Sequence, residues 1–218
     1  MCINCPSQIQ GGEMTSRLTL TTRNTDDIQI LGREVIGEGW GQLERYHLKH
    51  RRFDDSWSQA IDRDLYTIGE VAAVLVYDPK QDTVLLTEQF RTCGLRYGEA
   101  TWLVEIVAGL IDGDDDPEET ARREAKEESG CDIADLVHIS THYSSPGGCG
   151  ERIYLYAAAA DLSEAGGIFG LAHEHEDIRA VVVPFTDALA ACDDGRIIDG
   201  KTLIAVNWFA RHKDKLAP

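Results

Sequence analysis

No run of apolar residues in this 218-residue chain approaches the length of a membrane span. The opening twenty residues, MCINCPSQIQGGEMTSRLTL, lack a basic stretch followed by an apolar one. Neither a membrane anchor nor a secretory leader is expected. Cysteine is scarce: Cys2, Cys5, Cys93, Cys131, Cys149 and Cys192 are too few for a disulfide framework in a chain this long and fit a reducing cytoplasm. Cys2 and Cys5 form a C-x-x-C, but no second pair follows at zinc-finger spacing. With only six prolines and twenty glycines, collagen-like and broadly disordered chains are excluded. Basic residues are outnumbered too. Lys plus Arg total 21 against 38 Asp plus Glu, a formal charge of −17, and such a field repels phosphate backbones and anionic lipid. Nucleic acid and membrane are not expected as partners. A small anion is still within reach if divalent cations stand between it and the carboxylates.

What remains is a globular composition, 43% hydrophobic and 27% charged, enough for one large domain or a main domain with a small companion. After a polar tail over residues 1–26, segments 28–36 and 43–50 read as strands separated by Gly37, Gly39 and Gly41. The charged stretch RRFDDSWSQAIDRD comes next. Segments 71–77 and 83–90 form a hairpin across DPKQD, and 102–108, 136–143, 152–159 and 180–185 are further strands. Helical signals occupy 117–129, the region around 186–193, and 202–213. Strands outnumber helices without alternating with them, so the expected class is α+β, a mixed sheet with helices packed on it.

The segment GLIDGDDDPEETARREAKEESGC, residues 109–131, carries the chemistry. Asp116 can cap a helix that begins Pro117-Glu118-Glu119, with Glu119 at the capping-box position, and Gly130 can end it. On that helix Glu124, Glu127 and Glu128 share one face. Like charges at this spacing repel, and a hard divalent cation is the natural way to stabilise them. An EF-hand reading of Asp112, Asp114 and Asp116 fails because Pro117 stands at the required Gly and Arg123 at the bidentate Glu.

Gly109, Arg123, Glu124, Ala125, Glu127, Glu128 and Gly130 fall on the pattern G-x5-E-x7-R-E-U-x-E-E-x-G-U, U being aliphatic, and the segment resembles the Nudix box. Two positions depart from it. Asp115 replaces a Glu, so whatever it contacts, Arg123 or a backbone amide, would be held less firmly, and Cys131 replaces an aliphatic residue. Outside the box, Ser145-Pro146-Gly147-Gly148 with Glu151-Arg152, Gly170-Leu171-Ala172 with Glu174-His175-Glu176-Asp177-Ile178, and Glu88-Gln89-Phe90-Arg91 resemble the ADP-ribose pyrophosphatase subfamily over about residues 28–213. Gly200-Lys201-Thr202 is reminiscent of the GDP-mannose pyrophosphatases.

The resemblance implies a Nudix α/β/α sandwich over residues 67–218 and a β-rich segment, 27–66, exchanged across a homodimer. The implied reaction is hydrolysis of ADP-ribose to AMP and ribose 5-phosphate. Glu124, Glu127 and Glu128, with the carbonyl of Ala108, would hold Mg²⁺ (Mn²⁺ as a substitute), which lowers the pKa of a bound water. Glu128 counts with Glu174 among the catalytic residues: Glu174 matches the general base, and Glu176 is either a rival base or a further metal ligand. Implied substrate contacts are Trp40 on adenine, Arg63 from across the dimer, Arg91 on a phosphate, Leu110, and Glu151 on the ribose hydroxyls. For Trp40 an ordinary core tryptophan is the competing reading, and for Arg91 a surface ion pair. His173 and His175 make a poor zinc pair and receive no role. Two other functions stay open: a GDP-mannose or other nucleotide-sugar pyrophosphatase, and a non-catalytic Nudix domain that senses a ligand.

Overall fold

The computed structural model describes residues 22–171 and 175–216. A short 3₁₀ turn leads into a three-stranded antiparallel sheet of β1 (Ile28–Glu38), β2 (Gln42–His50) and β3 (Ile61–Thr67). The main unit follows: β4 (Glu70–Asp78), β5 (Thr83–Phe90), β6 (Trp102–Glu105), β7 (Val107–Leu110), α1 (Pro117–Ser129), β8 (Leu136–Tyr143), β9 (Arg152–Ala159), β10 (Gly167–Phe169), β11 (Ile178–Pro184), α2 (Phe185–Asp193) and α3 (Gly200–Leu216). Its sheet runs β10-β11-β5-β4-β9-β8, with β6 joined to β5 and β7 to β4. Among the described strands of this sheet β4 and β9 pair in parallel and the rest antiparallel, so the expected mixed sheet is what forms.

Three layers result. Helix α1 packs Ala121 and Ala125 on one face of the sheet, against Ala72, Val74, Leu85 and Val107. Helices α2 and α3 cover the other face, where Phe185, Val206 and Phe209 meet Leu75, Leu86 and Leu155. Strand β4, EVAAVLVYD, is buried at every position but its first, which explains why it reads as a continuous apolar run instead of an alternating one. Helix α1 begins and ends where expected. The Asp116 carboxylate accepts from the amides of Glu118 and Glu119, Pro117 occupies the first turn, and Gly130 closes the helix with a left-handed φ of 71°.

Two strands were not foreseen. In β3, IDRDLYT, no apolar alternation marks the strand. Cross-strand polar pairs support it instead, an ion pair of Arg45 with Asp64 and a hydrogen bond of His47 with Asp62, each at 2.7 Å and each directly opposite in register. Strand β10 spans only three residues, too short to leave a pattern. The expected single strand 102–108 is divided at Ile106, which separates β6 from β7. The N-terminal sheet is tied to the main unit where the Tyr66 amide donates to the Gly148 carbonyl at 3.0 Å and the Gly150 amide to the Tyr66 carbonyl at 2.8 Å. Its first strand stays open to solvent, with Ile30 63% and Leu31 51% exposed. Among the described residues no helix is long and apolar enough to cross a membrane.

Candidate functional site

The division of the strand at Ile106 shapes the site. Strands β4 and β5 pair with each other only at Tyr77–Val84 and Asp78–Thr83. Between their other ends lies the inserted segment, bonded to β5 through β6 and to β4 through β7. Helix α1 crosses β7 closely enough that a Cβ added to Gly109 would stand 1.9 Å from Oε1 of Glu124. Glycine at this point of the box is therefore the room that the Glu124 carboxylate occupies.

Glu128 is buried, and its Oε2 accepts the Ala108 amide at 3.2 Å. Burial pushes its pKa up to about 8; the charges of Glu124 and Glu176 add to the rise, while the Ala108 bond and Arg91 oppose it. Glu124 is raised to about 7, again chiefly by burial, with Glu127 and Glu176 reinforcing and Arg123 opposing. Arg123 supplies counter-charge to two of the acids. It pairs with Glu124 and Glu127, each at 2.8 Å, and donates to the Leu110 carbonyl at 3.4 Å. Asp115, expected on Arg123 or a backbone amide, is exposed, and Asp112 is the acid of that turn whose charge acts on Arg123. The turn folds back on itself through the Asp115 amide, which donates to the Asp112 carbonyl at 3.0 Å.

Glu176 joins this neighbourhood from the far end of the chain. Its Oε2 accepts the Leu171 amide and its own amide donates to the Leu171 carbonyl, both at 3.3 Å, and its charge is felt at Glu124 and Glu128. Glu174, the expected general base, and His173 lie outside the described residues, as do Cys2 and Cys5. Among the described residues no three His, Cys, Asp or Glu side chains converge tightly enough to enclose a metal ion as they stand. Arg123 draws Glu124 and Glu127, and the Ala108 amide draws Glu128. The donor chemistry nonetheless fits a hard divalent cation: oxygen ligands only, two of them acids, buried Glu128 and half-buried Glu124, whose ionisation desolvation disfavours and a cation would favour.

The expected substrate residues fall into two groups. Arg91, Leu110 and Glu151 belong to the main unit. Arg91 sits just past β5 with its fork on Glu105, Leu110 is half-buried in β7, and half-buried Glu151 lies near His142, whose pKa burial lowers against the pull of that acid. Trp40 and Arg63 lie on the N-terminal sheet. Trp40, in the β1–β2 turn, is 75% exposed, which removes the core-tryptophan reading, and the exposed Arg63 side chain donates to the Asp62 carbonyl. Sequence reasoning missed Glu105, Asp199 and the place of Lys201. The signal was one acid inside the apolar run WLVEIV, since an acid buried there requires partners.

This fold, with an acid-bearing helix laid across a divided strand, defines the class. Residues 68–205 match the NUDIX domain, and the chain belongs to the Nudix family. It is 39% identical to the ADP-ribose pyrophosphatase of Haemophilus influenzae, over 84% of this chain and 86% of that one. It is 35% identical to the ADP-ribose pyrophosphatase of Escherichia coli strain K12, over 89% and 93%. The GDP-mannose pyrophosphatase of Pectobacterium atrosepticum is 36% identical over 84% of this chain and 97% of its own. Among solved structures, an ADP compounds hydrolase superposes with a TM-score of 0.66 at 17% identity, covering 89% of this chain and 98% of that one, a likeness of fold.

Proposed function

We propose that this chain is a Mg²⁺-dependent ADP-ribose pyrophosphatase that hydrolyses ADP-ribose to AMP and ribose 5-phosphate. The observation that carries the reading is the set of acids on α1 facing β7, with buried Glu128 under the charge of half-buried Glu124. Relatives named for this reaction, similar over most of the chain, support the substrate. Glu124, Glu127 and Glu128, with the Ala108 carbonyl and Glu176, would hold the cation. Bound there, a divalent ion supplies charge neutralisation to the diphosphate and an acidified water.

The rest falls to the chain's own residues. Hydrolysis joins a water oxygen to phosphorus, breaks the bridging P–O bond and requires a base for the proton. Glu174 is assigned as that base, and the Leu171–Glu176 bonds anchor the flanks of its segment. Arg91 is assigned to a phosphoryl oxygen, Glu151 to ribose hydroxyls and Leu110 to the nucleotide. Trp40 and Arg63 would reach a partner's pocket if the sheet of residues 27–66 exchanges across a homodimer, which the exposed apolar side chains of β1 support. The free thiols of Cys93, Cys131, Cys149 and Cys192 support a reducing compartment, the cytoplasm.

Cleavage of GDP-mannose is the second reading, favoured by the Pectobacterium atrosepticum relative. Turnover of both nucleotide sugars with Mg²⁺, with products identified by chromatography, tests the assignment. AMP and ribose 5-phosphate in equal amounts are expected. Preference for GDP-mannose would move the substrate to the second reading, and ligand binding without any cleavage would make the chain a sensor.

A further inference from the structure

The Arg91 amide donates to the Thr101 carbonyl at 2.6 Å, so the β5–β6 pair fixes its backbone. Its guanidinium grips Glu105 side-on, Nε to Oε1 at 2.8 Å and Nη2 to Oε2 at 3.0 Å. Glu105 Oε2 is shared with Lys201 Nζ at 2.7 Å, and Lys201 also reaches Asp199 Oδ1 at 3.1 Å. The other oxygen of Asp199 caps α3 through the Thr202 amide at 3.0 Å and the Thr202 hydroxyl at 2.6 Å, and that hydroxyl accepts the Ile106 amide at 2.9 Å. A continuous chain of bonds therefore runs from the start of α3, across the point where β6 gives way to β7, to Arg91.

Burying several charges together is rarely a route to stability, because desolvation offsets most of the attraction. This network ends on the Arg91 side chain, which is 40% exposed, while the Glu105 side chain under it is 3% exposed. Arg91 Nη1 has no partner among the described residues, and Arg91 lies close enough to Glu128 for each charge to act on the other. Two acids and two bases balance. Without Lys201 the cluster would present a net negative charge to an anion already surrounded by glutamates.

We propose that Glu105 and Lys201 are positioning residues: they hold the Arg91 guanidinium with its free Nη1 edge toward a phosphoryl oxygen of the diphosphate, and Lys201 keeps Glu105 from neutralising it. This rests on the diphosphate-hydrolase reading above and adds the turn at the start of α3 to substrate binding. The test compares full-length wild type with Lys201→Met, Lys201→Gln and the conservative Lys201→Arg. Removal of the lysine charge should raise KM for ADP-ribose about 10-fold with kcat held within about 3-fold, a binding loss. Lys201→Arg should recover most of it, and Mn²⁺ affinity without nucleotide should be equal in all four proteins. Calorimetric binding of Mg²⁺–pyrophosphate gives a readout independent of turnover. Wild type that fails to cleave ADP-ribose refutes the function proposed above. Equal pyrophosphate affinity in wild type, Lys201→Met and Lys201→Gln, with only the melting temperature altered, refutes the positioning role.

Discussion

Glu124 owes its place to a missing methyl group on the strand opposite. A Cβ at Gly109 would meet Oε1, Cδ and Cγ of Glu124 at 1.9, 2.0 and 2.6 Å, yet the obstacle is the far end of a flexible side chain, which can swing away. Gly109→Ala should therefore leave the melting temperature nearly unchanged while weakening Mn²⁺ binding by about 10-fold or more, the scale of disturbances just outside a ligand set. Thermal melts and a Mn²⁺ titration of one preparation separate the two effects. Glu128→Gln preserves volume and removes a buried like charge. It should keep or raise the melting temperature while kcat falls at least about 100-fold, as for other preorganised charged groups at reacting centres. Near-normal turnover would remove Glu128 from the site.

At the scale of elements, strand β6 and helix α3 are joined by Glu105. Burial alone would raise its pKa, but bonds to Arg91 and the charge of Lys201 win and hold it below the usual 4.5. A carboxylate whose folded-state pKa is depressed adds stability above its unfolded value and loses it as pH falls through the folded one. Urea midpoints measured from pH 6 down to pH 3 should fall below about 4.5, and Glu105→Gln should flatten that slope. These couplings also mark where the sequence was readable. Helix α1 was written in full, with Asp116 and Pro117 at one end and Gly130 at the other, because caps are local signals. Strand β4 showed as an apolar run because both its faces are covered. Strand β3 was hidden because its support comes from charged partners on β2, and the break at Ile106 because it arises from pairing with two different strands. The glutamates of the box were legible together. The Lys201–Glu105 bond, spanning 96 positions, was not.

For the whole molecule, an apolar first strand and an exposed Trp40 point outward from the N-terminal sheet. If two chains pair through it, sedimentation should report twice the chain mass, and Ile30→Lys should yield a monomer whose KM for ADP-ribose rises about 10-fold through loss of an aromatic anchor. A wild-type monomer of full activity would discard the exchanged-sheet reading. The formal charge of −17 bears on the substrate as well, since an anionic diphosphate can approach such a surface only through cations. The decisive measurement is a calorimetric Mn²⁺ titration with a non-cleavable ADP-ribose analogue present, run on wild type and on Glu128→Gln. Saturable uptake in the wild type that is lost or greatly weakened in the variant is expected; no uptake, or equal uptake by both, would contradict the role assigned to helix α1.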